Sequence, residues 1–597
     1  MKITENIEQT VTKAVRKLWP DVELKVDIVT SPNKEFGDYS CAVALQLAKL
    51  TQEKPAEIAE KIKDALGKIE FIKETTVTSP GYVNFILDYP ALAQAVLTAP
   101  NLLAGKPLKI SMEHTSVNPN KAAHIGHLRN ACLGDALARI LRGVGHTVEV
   151  QNYIDDLGVQ VADSVVAFET FGDAPEGYEI DKWLWKIYAD INKKYEADPE
   201  LLKRRGEVLW EMEKGESETA KQIVEKIVAA QLKTFQRFGI DYDLLVYEHD
   251  IVQNHLWDKL FEELKKQKLV AKPDSGPNAG AWAVKFGKTE REDKILVKAD
   301  GLPTYTAKDL AYALWKFGKT DEMKGYEKRL SPIDRHLTVI DERQSYPQAV
   351  IKYVMEKLGY KEEAKNYLHV GYGVVKLSDK AMKRLGTRIE DMGGASSMSG
   401  RAGIGVMVDD LLDTTMAQQI KEHSSPKDVA EKIASGSIRY YMLKTRPERE
   451  IVFDFDEALR TDGNTGVYLQ YAYARANNIL EKAGKAIPAS SSVIPGSSSV
   501  IPAKAGIHFS SYEQELIKAL SETAAAVHLA TARMDPSVLC DHAYQLAGIF
   551  ARFYESSPVL QASGEEIKAF RLALVSSFRT TLGTVLELLG IPQLERL

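Results

Sequence analysis

Residues 107–154 constrain the fold more than any other stretch of this chain, because they read as strand, polar loop, helix, strand. "PLKISMEH" has strand character. "HIGHLRNACLGDALARILRGVG" predicts a helix with Leu128, Cys132, Ala136, Ile140 and Leu141 on one apolar stripe, stopped by Gly143 and Gly145. "HTVEVQNYI" predicts a second strand. Two strands joined through a helix lie parallel, with a right-handed crossover. The unit therefore predicts a parallel α/β sheet. Ligands of such sheets bind beyond the carboxyl ends of the strands, where a strand hands over to a helix.

The remaining sequence divides around this unit. A chain of 597 residues is long enough for several domains. Residues 1–104 predict a small α+β domain. Its first helix is set by Ile7, Val11, Ala14, Val15 and Leu18 and ended by Pro20; "YSCAVALQLAKL" and "KPAEIAEKIKDAL" read as further helices and "GYVNFIL" as a strand. Residues 105–415 predict the α/β domain, with a charged, mostly helical insertion at about 160–280. The strand-like runs "GAWAVKF", "KILVKAD", "HLTVID" and "HVGYGVV" alternate with helices and are expected to continue that domain. Residues 416–597 predict a third domain, all-helical from about 427. It is interrupted at about 487–507 by "SSSVIPGSSSVIP", whose serine, proline and glycine predict a flexible insertion.

Composition narrows the function classes less than the pattern does. A net charge of −6 does not favour binding nucleic acid through overall charge, although local basic patches decide that question. Cys41, Cys132 and Cys540 are far apart and form no CxxC, so neither a disulfide framework nor a zinc site is expected. The N-terminus lacks an apolar signal core, and no apolar run approaches the roughly 20 residues that span a bilayer. A cytoplasmic protein without membrane contact is expected.

His124 and His127 stand three apart at the predicted helix start, hence on one face, beside free backbone N–H groups at the positive end of the helix dipole. Gly126 between them removes a side chain and lets a flat ring or a phosphate approach the backbone. This predicts a nucleotide site; a structural histidine pair is the competing reading.

"HIGH" after a strand is the signature of class I aminoacyl-tRNA synthetases, and "EHTSVNPNKAAHIGHLRNACLGDALARILRGVGHTVEVQNYIDDLGVQ" resembles arginyl-tRNA synthetases in particular. "EFGDYSCAVALQLAK", "DGLPTYTAKDLAYALWKF", "GNTGVYLQYAYARANNIL" and "LELLGIPQLERL" are similar to the same family in the same order. The resemblance implies a Rossmann-type catalytic domain flanked by an N-terminal α+β domain and an all-helical anticodon-binding domain. It implies ATP with Mg2+ as a substrate complex, arginine and tRNA(Arg) as partners, a monomer, and neither zinc nor a tightly bound cofactor. Two alternatives remain beside it: a catalytically weak tRNA-binding relative, and another HxGH nucleotidyltransferase.

By the same resemblance His124, Gly126 and His127 meet ATP. The family's second signature loop, at about 396–405, departs from its usual pattern. Met398 and Ser399 are retained and Arg401 and Gly403 remain, but Ser397 stands where the first lysine belongs. Lys121 is expected to supply the missing cation, with Lys380, Lys383 and Arg384 as rivals. His124, His127, Lys121 and Arg401 are thus the expected catalytic set, and Met398, Ser399 and Gly403 join the ATP contacts. Glu113, Asn118, Tyr305, Asp309 and Gln344 are expected to hold arginine. Tyr82, Asn84 and Phe85, with Tyr468, Gln470 and Arg475, are expected to touch tRNA, whereas Phe550, Phe553 and Tyr554 read as core.

Overall fold

The computed structural model describes residues 3–97, 102–103, 105–276, 278–285, 293–385, 406–486 and 509–596. In the N-terminal part, strands β1 (Ile28–Thr30), β2 (Tyr39–Cys41), β3 (Ile72–Thr78) and β4 (Tyr82–Leu87) form an antiparallel sheet in the order β1-β2-β4-β3. Tyr39–Cys41 lies in a stretch expected to be helical. It is a strand because Tyr39, Ser40 and Cys41 pair in register with Phe85, Asn84 and Val83, and the helix starts only at Val43. Tertiary pairing here overrides local periodicity.

The central sheet contains β5 (Lys109–Glu113), β6 (Thr147–Ile154) and β7 (Leu244–Tyr247). Three short strands follow in the chain, β8 (Val270–Ala271), β9 (Trp282–Val284) and β10 (Lys294–Val297), and then β11 (Arg335–Asp341) and β12 (Tyr367–Tyr372). The sheet order is β12-β11-β5-β6-β7, all parallel. The chain leaves β5 towards β6 and β7 and later returns to its other side, so the order reverses between β5 and β11. That crevice is where an open parallel sheet offers its ligand site.

Two expectations are corrected. The insertion at about 160–280 is not wholly helical, because β7 lies within it and forms the edge of the central sheet. "GAWAVKF" and "KILVKAD" do not continue that sheet either: β9 and β10 pair antiparallel with each other and with β8. The link between β9 and β10 is too short for a parallel crossover, so they make a hairpin. A third difference is small. Strand β13 (Val375–Leu377) pairs in parallel with β14 (Ile451–Phe453), which lies in the stretch expected to be all-helical. The serine–proline stretch at 487–507 falls outside the described residues.

The helix Ile125–Gly143 is buried on both sides rather than along one stripe: 14 of its 19 residues are inside, including Arg129, Asn130 and Asp135. One side packs on the central sheet and the other on helices Lys427–Leu443 and Glu565–Leu588. Several polar residues at this double interface are paired, although the Nε and Nη1 of Arg129 are buried without a hydrogen-bond partner among the described residues. Arg439, wholly buried, forms an ion pair with Asp135 and donates to the carbonyls of Phe238 (2.9 Å) and Leu589 (3.0 Å). Gly590 has φ +67°, and a Cβ there would lie 2.0 Å from the Arg439 guanidinium, so only glycine fits. Arg129 donates to the carbonyls of Arg446 (3.1 Å) and Pro447 (2.9 Å). Arg237 reaches Asp409 and Asp413 (both 2.6 Å) and Glu431 (2.9 Å). Burial alone would raise the Asp135 carboxyl, but Arg439 and Arg139 hold it below the ordinary range.

Removing one partner of a buried pair strands the other charge. Asp135→Asn should therefore cost about 3–5 kcal/mol, seen as a lower urea midpoint by tryptophan fluorescence. An unchanged midpoint would remove this pair from the list of stabilising contacts.

Candidate active site

The loop from β5 to the helix at Ile125 starts with two residues in the left-handed region, Thr115 (φ 75°) and Ser116 (φ 40°). Their backbone is held from both neighbours. Asn130 of the helix accepts from Thr115 N (2.7 Å), and Asn152 of β6 accepts from Ser116 N (3.0 Å). Asn130 also donates to the Val339 carbonyl of β11 (2.9 Å). Gly134 allows this closeness: a Cβ there would lie 2.2 Å from the His114 ring.

His124 is the N-cap of the helix and His127 its third residue. The His124 Nδ1 accepts from Gly126 N (3.1 Å) and His127 N (3.4 Å), and His124 N donates to His127 Nδ1 (3.2 Å). The helix-start N–H groups expected to be free are thus capped by the histidine itself. This reciprocal capping fixes the tautomer: both Nδ1 atoms accept, so each neutral ring carries its proton on Nε2 and presents it as a donor. The rings stack with centroids 3.5 Å apart. Burial, then the Lys121 ammonium, pushes His124 down to about 4; burial, His124 and Lys121 push His127 well below its ordinary value. A Cβ on Gly126 would stand 3.0 Å from His124 Cε1, so the glycine makes room for the ring as well as for a ligand. Ile125 N donates to the Val406 carbonyl (3.1 Å) and Val408 N to the Ala123 carbonyl (3.0 Å), which fastens the segment after residue 405 to the histidine loop.

The helical insertion closes this region from the side. Trp185 meets the His124 ring edge-on at 6.3 Å. The Lys121 ammonium is buried, 2.9 Å from Asn120 Oδ1 and 3.4 Å from Gln160 Oε1, and 5.3 Å above the Tyr188 ring. Met398, Ser399, Arg401 and Gly403 lie outside the described residues.

An acidic region adjoins at the same edge of the sheet. Tyr305 opens the helix Tyr305–Lys316 and is exposed, with Lys294 Nζ 3.2 Å from its hydroxyl; Asp309 follows one turn later. Burial, then the neighbouring Glu113 and Glu248, push the Asp309 carboxyl up to about 8, against Lys316 and Lys308. Glu248 is raised too, by burial and by Asp155, although Lys308 lies 2.5 Å away. Glu113 ends β5 in an ion pair with the Lys316 ammonium, which is buried over the Tyr312 ring, and His336 Nε2 is 3.9 Å away. Asn118 is half-buried in the β5–helix loop, where its carbonyl accepts from Gln231 (3.2 Å). Gln344, also half-buried, ends the turn Glu342–Gln344 just beyond β11. These two share the carboxyl edge of the sheet with Asp309.

The expected tRNA contacts separate into two groups. Tyr82 is exposed on β4, but Asn84 is buried and donates to Thr78 Oγ1 (2.9 Å), and Phe85 is wholly in the core. Gln470 is also fully buried, bridging the carbonyls of Lys432 (3.1 Å) and Pro592 (2.9 Å). These three side chains hold the fold rather than a surface. Tyr468 is half-buried against Tyr544. Arg475 lies against the rings of Tyr471 (4.6 Å) and Tyr554 (5.7 Å), both exposed. Phe550 and Phe553 are core as expected, but Tyr554 is not. Tyr471, outside the expected set, accepts from Arg475 (2.8 Å) one helical turn away. Among the described residues no group of three His, Cys, Asp or Glu side chains is arranged to hold a metal ion, and no helix is long and apolar enough to cross a membrane.

Three family models match in succession: the arginyl tRNA synthetase N-terminal domain over 1–87, the catalytic domain of class I (R) tRNA synthetases over 91–455, and the DALR anticodon-binding domain over 469–597. The chain belongs to the arginyl-tRNA synthetase family. Curated arginine–tRNA ligases of Pyrococcus furiosus and Thermus thermophilus are each 34% identical to it, the first covering 99% of this chain and 98% of its own length, the second 98% of both. The solved Thermus thermophilus arginyl-tRNA synthetase superposes over the whole of both chains, with a TM-score of 0.82 and 31% identity. In this synthetase fold the histidine pair lies where the class I catalytic domain reverses its strand order.

The histidine electrostatics carry a stability consequence. In the unfolded chain these rings protonate near the ordinary value of about 6.5; folded, His124 does so only near 4. Between those values the unfolded state holds more protons, so stability falls as pH drops from 6.5 towards 4. His124→Asn keeps a good N-cap and should remove about one proton from that slope, measured as urea midpoint against pH. An unaltered slope would mean that His124 titrates normally in the fold.

Proposed function

We propose that this chain joins arginine to the 3′ end of tRNA(Arg) at the expense of ATP. One observation carries the reading most directly. A pair of neutral, Nε2-protonated histidines begins the helix that follows β5, and the desolvated carboxyl group of Asp309 lies close to Glu113, the last residue of that strand. The first suits phosphate oxygens, the second a guanidinium.

In the first step the arginine carboxylate oxygen bonds to the α-phosphorus of ATP·Mg2+, and the bond to pyrophosphate breaks. In the second a terminal ribose hydroxyl attacks the arginyl carbonyl, loses its proton, and AMP departs. The protein needs no covalent intermediate; it aligns reactants and meets charge that develops on the phosphate. His124 and His127 donate through Nε2. Lys121 brings a fixed positive charge to the same side, in the role that the residue before Met398 no longer fills. Asp309 and Tyr305, one turn apart, take the guanidinium, with Asn118 and Gln344 at the rim. Glu113, ion-paired with Lys316 at the end of β5, turns its carboxylate to the cationic groups of arginine. Tyr82, together with the Arg475–Tyr471–Tyr554 cluster, offers tRNA a stacking surface. A weak tRNA-binding relative would keep that cluster without the exchange reaction, and a small HxGH nucleotidyltransferase would need neither flanking domain.

Arginine-dependent ATP–pyrophosphate exchange, run with and without tRNA(Arg), tests the reading. Exchange specific to arginine is expected in at least one condition, and its absence in both would end the enzyme assignment. Lys121→Ala should slow adenylate formation by ~2–4 kcal/mol of transition-state stabilisation; a change below twofold would exclude Lys121.

Arginine affinity should also depend on pH. Asp309 is neutral below about 8 in the free protein, and a guanidinium favours its ionised form. Affinity should therefore rise about tenfold per pH unit from 6.5 up to about 8 and then level off. Asp309→Asn should bind weakly and without that slope. Calorimetric titration of arginine across this range checks both, and a flat wild-type profile would count against Asp309.

A further inference from the structure

The loop that carries Lys121 is held from outside the βαβ unit by three helices of the insertion. From Val159–Phe171, Ser164 donates to the Asn120 carbonyl (3.1 Å). From Ile180–Lys194, the Asp181 carbonyl accepts from Ala122 N (3.2 Å). From Glu218–Gln236, Gln231 donates to the carbonyls of Asn118 (3.2 Å) and Lys121 (2.8 Å). Two of these helices also reach the lysine side chain. Gln160 brings its amide oxygen to 3.4 Å from the ammonium, and the buried ring of Tyr188 lies below it at 5.3 Å.

We propose that Gln160 and Tyr188 are positioning residues, which hold the Lys121 ammonium towards the phosphate end of the active site. The inference rests on the reading of Lys121 as the phosphate cation. A lysine on an open loop has a flexible four-carbon stem and many rotamers. Here Asn120, Gln160 and Tyr188 select one. An amide oxygen and an aromatic face attract a cation through partial charge and quadrupole. They orient it without adding a full negative charge of their own. The helical insertion, by this account, supplies part of the catalytic geometry and not merely a lid.

Gln160→Glu separates this role from packing. It is nearly isosteric and lies in the first turn of the helix Val159–Phe171, where an acidic residue favours the helix dipole, so folding is spared. It sets a full negative charge against the ammonium. In the full chain with tRNA(Arg), ATP and arginine, single-turnover adenylate formation should slow at least tenfold, with the KM for arginine within twofold. Combining Gln160→Glu with Lys121→Ala should give no more loss than Lys121→Ala alone. Tyr188→Leu should slow the step similarly, and Tyr188→Phe, which keeps the ring face, should restore it to within threefold. If Lys121→Ala slows the step while Gln160→Glu stays within twofold, or if their effects multiply, the positioning role is overturned and the reading of Lys121 survives. If Lys121→Ala itself stays within twofold, both fall.

Discussion

The helix Ile125–Gly143 is the member on which the rest of the structure depends, because both of its sides are interior. Its buried charges are met from a stretch some three hundred positions further along the chain: Asp135 by Arg439, and the Nη2 of Arg129 by the carbonyls of Arg446 and Pro447. The residue that caps this helix, His124, belongs to the proposed ATP site. One helix therefore joins the histidine pair to helix Glu565–Leu588, and the close approach of Gly590 to Arg439 shows how little slack the joint has. A buried ion pair is weak evidence for net stability, but it is strong evidence for a particular arrangement, since a slipped interface would leave both charges unpaired.

The active site divides by charge. At the helix start the imidazoles are kept neutral by desolvation and by Lys121, so their Nε2 protons are available as donors whatever the pH near neutrality. At the acidic end, Asp309, Glu113 and Glu248 crowd together with Lys308 and Lys316 between them. Without a cation the region holds more carboxyl groups than it can ionise. On the proposed reading of this region as the arginine pocket, a guanidinium relieves that frustration and a neutral side chain of similar size does not, which is a physical basis for selecting arginine.

Much of this was legible in the chain. The βαβ unit, the helix start at His124 and Gly126, and the Tyr305–Asp309 spacing all follow from local periodicity and from residues whose backbone needs are distinctive. What escaped was short or non-local. Strands such as β7, β13 and β14 have three or four residues, too few for a period of two to stand out. Asn84, Phe85 and Gln470 look like surface residues by type or by family likeness, but burial is decided by what packs over them. The ion pair of Glu113 was not legible because its partner, Lys316, is some two hundred positions away in the chain.

By itself, then, the sequence determined the kind of sheet, the position of the helix start at His124, and the family, because these depend on neighbours a few residues apart and on motifs in a set order. Only the tertiary structure decided which charges are paired, which polar side chains are core, and that the helical insertion touches Lys121 through Gln160 and Tyr188. Those outcomes depend on desolvation and on contacts between segments far apart in the chain, and neither leaves a periodic trace in the order of residues.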